Sequence, residues 1–113
     1  MPAAFAFARF DNGGVDAVTG VGTTQAGAAL LTGAVNLVTT SAGQVGTLLP
    51  RDAAFGSPII VRVGTATAST VFPPTGGSIN GGAANAAFSV AQNKPTVFYC
   101  HPNGIDYTAV LSA

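Results

Sequence analysis

Turn residues interrupt this chain so often that no stretch between them is long enough for a stable helix. After residue 20 the punctuation reads Ser41-Ala42-Gly43, Gly56-Ser57-Pro58, Pro73-Pro74-Thr75-Gly76-Gly77, Asn80-Gly81-Gly82, Gln92-Asn93-Lys94-Pro95 and Pro102-Asn103-Gly104. Gly reaches positive φ without steric cost, Pro presets the first corner of a turn, and Asn tolerates the left-handed region. Between the turns lie β-prone runs at 21–26, 35–40, 46–49, 59–63, 69–72, 87–90, 96–100 and 107–111. β-Branched and aromatic residues suit a pleated, half-buried surface, and strands roughly 8–12 residues apart are the pattern of a sandwich or barrel. Only 51–55 and 83–87 leave room for a helical turn, and both fall short of the roughly 12 residues of a marginally stable helix.

Alternation inside the runs points the same way. Thr96, Phe98 and Cys100 fall on one strand face and Val97 and Tyr99 on the other; Ile59, Val61 and Val63 share a face that Arg62 opposes. A chain of 113 residues holds one domain, and with no Trp and 7 Phe its core is thin. Small cores leave little margin, so such a domain gains by burying surface against copies of itself. The expected fold is all-β: a small β-sandwich, jelly-roll-like, of about eight short strands over residues 20–113, preceded by an extended N-terminal arm and linker at 1–19.

Charge excludes several partners. Arg9, Arg51, Arg62 and Lys94 balance Asp11, Asp16, Asp52 and Asp106, and charged residues make up 7% of the chain where an ordinary domain has about 25%. Without clustered Lys and Arg there is nothing to neutralise phosphates or hold an anionic membrane, so neither nucleic acid nor membrane is expected as a partner. Zero net charge also gives little protection against association, which suits a chain whose working state is an assembly. The first ten residues lack the basic region of a signal peptide, their apolar run stops at Arg9, and no apolar stretch reaches membrane-spanning length. Synthesis in a cytoplasm is the expectation.

Chemistry is sparse. For proton exchange, attack or metal binding the chain offers one His, one Cys and four Asp, with no Glu. Cys100 and His101 are adjacent, and neighbours on a strand point to opposite faces, so they do not form a thiolate–imidazole pair there. Together they fall short of the three or four ligands of a zinc site. Gly20-Val21-Gly22-Thr23-Thr24-Gln25 begins like a dinucleotide fingerprint, yet Gln25 stands at the third Gly and no acidic residue follows about 20 positions on. No catalytic residue, metal or cofactor is expected, and Cys100 is read as a core residue.

The candidate binding residues lie in the arm. Phe5 and Phe7 share a strand face with Arg9, Phe10 points the other way, and Asp11-Asn12-Gly13-Gly14 is a turn or linker signal. Burying three Phe contributes less than ordering a ten-residue backbone costs, so the arm needs a partner surface. A strand edge on a neighbouring subunit or on a larger shell would supply backbone hydrogen bonds as well. The alternative is an ordinary edge strand of its own domain.

Two stretches carry a resemblance. The first is Gly22-Thr23-Thr24-Gln25-Ala26, leading through Asn36-Leu37-Val38-Thr39-Thr40 to Leu48-Leu49-Pro50. The second is Phe72-Pro73-Pro74-Thr75-Gly76-Gly77-Ser78-Ile79-Asn80-Gly81, continuing through Ala83-Ala84-Asn85-Ala86 to Thr96-Val97-Phe98-Tyr99-Cys100. Over about residues 20–111 they resemble a module of tailed-bacteriophage virion proteins, found in capsid decoration (cement) proteins, head fibres and tail-fibre segments. The resemblance implies a compact, commonly trimeric β-sandwich on a virion, bound to the outside of a capsid or built into a fibre. The implied partners are the major capsid protein and further copies of the chain as a homotrimer. A fibre usually carries further repeats or a long coiled region, so the short chain favours decoration, with a head- or tail-fibre or receptor-binding module as the alternative. Sugar recognition is disfavoured: Trp is absent, and of Tyr99 and Tyr107 the former reads as core.

Overall fold

The computed structural model describes residues 15–53 and 58–111. They form nine strands: β1 (Val15–Thr19), β2 (Ala29–Leu30), β3 (Val35–Thr39), β4 (Gly46–Leu48), β5 (Pro58–Val63), β6 (Ser69–Phe72), β7 (Phe88–Val90), β8 (Thr96–Cys100) and β9 (Tyr107–Leu111). These make a five-stranded sheet of order β9-β8-β5-β3-β1 and a four-stranded sheet of order β2-β4-β6-β7. The all-β expectation holds, and no helix occurs among the described residues.

The winding differs from a jelly roll, whose strands pair antiparallel. From β1 to β6 each strand lies in the opposite sheet from the one before, and the strands that meet within a sheet run parallel: β1 with β3, β3 with β5, β2 with β4, β4 with β6. The chain thus coils three times around one core, then closes with antiparallel β7 on β6, β8 on β5 and β9 on β8. The coils stack like on like. Val18, Val38 and Val63 align through the inside of the larger sheet, and Leu30, Leu48 and Phe72 align in the smaller one.

Three details of the sequence reading change. Residues 15–19, assigned to arm and linker, are the edge strand β1, held in parallel register by β3. The run at 21–26 is not a strand but a corner. There the backbone crosses the next coil so closely that a Cβ on Gly46 would lie 2.6 Å from the Val21 carbonyl oxygen, and Val21 N donates to Gly46 O at 2.9 Å. The corner also needs Gly22 at φ 59°, a conformation a strand does not use. Tyr99 is exposed, whereas Tyr107 is fully buried, which reverses the order of burial expected for the two rings.

The core gathers Leu31, Val38, Leu49, Val61, Val63, Val71, Val90, Phe98 and Tyr107 between the sheets. Phe88 meets Phe98 edge to face at 5.8 Å between centroids, a favoured aromatic geometry. Polar residues are buried too, and Asn36, Thr40, Thr47 and Ser69 have partners that fasten one coil to the next. Asn36 Oδ1 accepts from Gly33 N at 3.1 Å while its Nδ2 donates to Gly33 O at 2.9 Å and to Ile60 O at 3.2 Å. Ser69 Oγ donates to Val45 O at 2.9 Å and lies 3.2 Å from Thr47 Oγ1. Thr40 N donates to Thr65 Oγ1 at 2.9 Å, and its hydroxyl donates to the Thr67 carbonyl. A buried hydroxyl or amide left unpaired would cost more than these bonds contribute net, so the polar residues fix the stacking register.

Candidate interaction face

A strand with apolar residues on only one side needs only one covering layer. The strands of the larger sheet have them on both. On β1, β3, β5, β8 and β9 the inward residues pack on the smaller sheet, while the register of the five strands brings Val15, Val35, Ile60, Val97 and Val110 into one row across the outer face. Val15 is 65% exposed and Val110 52%, at the two edges of the sheet. Val35, Ile60 and Val97 between them are half-buried by their own neighbours.

Rows to either side continue the same chemistry. Ala17 and Leu37 align on one side, with Arg62 beside Leu37; on the other, Pro58, Tyr99 and Thr108 align. Leu37 and Tyr99 are each more than a third exposed. Arg62 is the only charged side chain among the described residues of this face, and its Nη2 points to Asn93 Oδ1 at 3.4 Å. Asp16, on β1, turns away from it and accepts from Thr32 Oγ1 at 2.5 Å.

Cys100, His101 and Asp106 each have hydrogen-bond partners within the fold. Cys100 is buried and its thiol donates to His101 O at 3.4 Å. His101 Nε2 lies 2.7 Å from Thr108 Oγ1. Asp106 Oδ2 accepts from Asn103 Nδ2 at 2.7 Å and its Oδ1 from Ser78 N at 2.9 Å, and these bonds, that of Asn103 foremost, hold its carboxyl below the usual carboxylate range. Burial pushes the Tyr107 phenol far above its ordinary value. Among the described residues no group of three His, Cys, Asp or Glu side chains is placed to hold a metal ion.

The two stretches of resemblance meet in space. Gln25 Nε2 donates to Pro73 O at 2.7 Å and to Asn85 Oδ1 at 3.1 Å, and that same oxygen accepts from Gly76 N at 2.7 Å. These residues therefore join the two stretches at one corner of the fold.

Phe5, Phe7, Arg9 and Phe10 lie outside the described residues. The outer row was not picked out by reading strands singly. Its signal is a repeat: Val15-Asp16-Ala17-Val18-Thr19 is echoed by Val35-Asn36-Leu37-Val38-Thr39, and Ala29-Leu30-Leu31 by Thr47-Leu48-Leu49. The echoes fall 20 and 18 residues apart, and self-similarity at a nearly constant period is the mark of stacked coils; an apolar residue at both ends of Val-x-x-Val places one Val on each face of the strand.

Comparison with family models, with curated proteins and with solved structures finds no match.

Proposed function

We propose that this chain is a structural protein of a tailed-bacteriophage virion, a decoration or cement protein that binds the outer surface of the head and stabilises it, acting as a homotrimer without catalysis. The observation that carries an assembly role is the apolar row from Val15 to Val110, on a face with one charge among the described residues. Soluble monomers rarely present contiguous apolar patches above a few hundred Å², and larger ones mark interaction surfaces. The virion context rests on the resemblance of 20–111, whose shared residues here hold a corner together and so speak to architecture. In this reading the arm residues Phe5, Phe7, Arg9 and Phe10 reach the major capsid protein or a neighbouring subunit. Three arms on one trimer raise affinity through effective concentration even where each binds weakly.

An electron-microscopy reconstruction of the particle whose genome encodes the chain tests this. Many copies spread over the shell are the expected result. A few copies at a vertex or on the tail would favour the head- or tail-fibre module instead, and a particle without the chain would refute both. Deleting residues 2–12 tests the arm: the domain should still fold and lose the shell, whereas a variant that unfolds outright would place the arm in the core.

A further inference from the structure

We propose that the outer face of the five-stranded sheet is covered by other copies of this chain. The inference rests on the assembly reading above and adds the surface through which the copies meet.

Three features select that occupant. The first is likeness to a surface the molecule already covers. The inward row Val18, Val38 and Val63 and the outward row Val15, Val35 and Ile60 belong to the same three strands in the same register. The inward row is closed by the chain's own second sheet; the outward row offers nearly the same side chains with no sheet upon it among the described residues. Strands lie about 4.8 Å apart, so five aligned side chains make a ridge roughly 20 Å long, and such ridges interlock when two sheets stack about 10 Å apart.

Size is the second. Val15, Leu37, Tyr99 and Val110 are each more than a third exposed, which puts the apolar part of the face on the order of a few hundred Å², the scale at which exposed patches mark interaction surfaces.

The third is charge. Among the described residues Arg62 is the one charge on the face, at its border beside Leu37, and the whole chain is neutral. A second copy therefore brings little repulsion, while a polyanion finds no cluster of cations to pair with. Depletion of charge at the centre with aliphatic and aromatic residues around it is the composition of an interface core.

The test uses the full chain and two variants, Val97→Lys within the row, beside its central Ile60, and the double variant Val15→Lys/Val110→Lys at its ends. Light scattering at high micromolar concentration gives the molar mass, and far-ultraviolet circular dichroism with thermal melting reports the fold. The expected result is an oligomer for the parent chain and a single-chain mass for both variants, each keeping the β-sheet spectrum. Should Val97→Lys fail to fold, the double variant decides, because its two positions are mostly exposed within one chain. A parent chain that stays monomeric, or a parent oligomer that persists in the folded variants, overturns the inference. So does a monomeric parent whose attachment to the particle is abolished by Val97→Lys, since the face then belongs to another protein. The decoration reading fails separately: a parent oligomer dispersed by both variants, from a particle that does not carry the chain, would leave this inference standing and refute that one.

Discussion

Tyr107 Oη donates a hydrogen bond to the carbonyl oxygen of Pro50 at 2.5 Å, joining residues 57 positions apart. The bond ties the last described strand to the loop after the second coil, and the ring it belongs to is fully buried. Tyr107→Phe keeps the ring and removes the donor, leaving the Pro50 carbonyl short of a partner. We expect a loss of about 1–3 kcal/mol, read in urea as a lower midpoint with an unchanged slope. An unchanged midpoint would mean that water replaces the phenol without cost.

Asn36 is the clamp between coils. Asn36→Leu removes the partners of Gly33 N, Gly33 O and Ile60 O together, at a site with no exposure. A loss on the order of 3 kcal/mol is expected, as for other buried networks that lose one member. Equilibrium denaturation would show it, and a variant as stable as the parent would show that the aliphatic contacts set the register without the amide.

Two glycines differ in what surrounds them. A Cβ on Gly77 would lie 1.8 Å from the Ile105 carbonyl oxygen, while one on Gly64 meets nothing within 4 Å. Gly77→Ala must displace backbone, and we expect it to lose more than about 4 kcal/mol, a size reserved for a few such mechanisms. Gly64→Ala should be neutral or stabilising by about 0.4–1 kcal/mol through the unfolded chain. Thermal melts of the pair measure the contrast, and equal melting temperatures would contradict the close approach.

Acid should weaken the loop around Asp106. Its carboxyl sits below the ordinary value of 3.8 because Asn103 and Ser78 donate to it. A carboxylate whose folded value is depressed stabilises the fold above its unfolded value, and that contribution is lost as the pH falls through the folded value. The melting temperature of the parent should therefore drop more steeply than that of Asp106→Asn on going from about pH 5 to about pH 2. Parallel pH profiles for the two proteins would remove Asp106 from the acid response.

Cys100 is nearly without exposure. Its thiol should react with iodoacetamide only as fast as the protein opens, and Cys100→Ala should cost about 1 kcal/mol, like the loss of one buried methylene. Rapid labelling of the folded protein would place the thiol at the surface.

What the sequence determined by itself is local. Turn residues set where strands end, and the boundaries read for 69–72, 96–100 and 107–111 match β6, β8 and β9, because φ preferences act within a few residues. Alternation also sorted Thr96, Phe98 and Cys100 from Val97 and Tyr99 correctly. What it does not contain is which face is inside. A period of two gives Tyr107 and Tyr99 a side each, and only the second sheet closing over one side buries Tyr107 and leaves Tyr99 out. The corner at 21–26 is decided in the same way, since its β-prone residues bend where another coil approaches. The repeat marks which valines share a face, but only tertiary structure assembles them into the outer row. Val15, Val35, Ile60, Val97 and Val110 become neighbours only through parallel and antiparallel registers set across the chain, and a slip of one residue in any strand would turn its member of the row into the core.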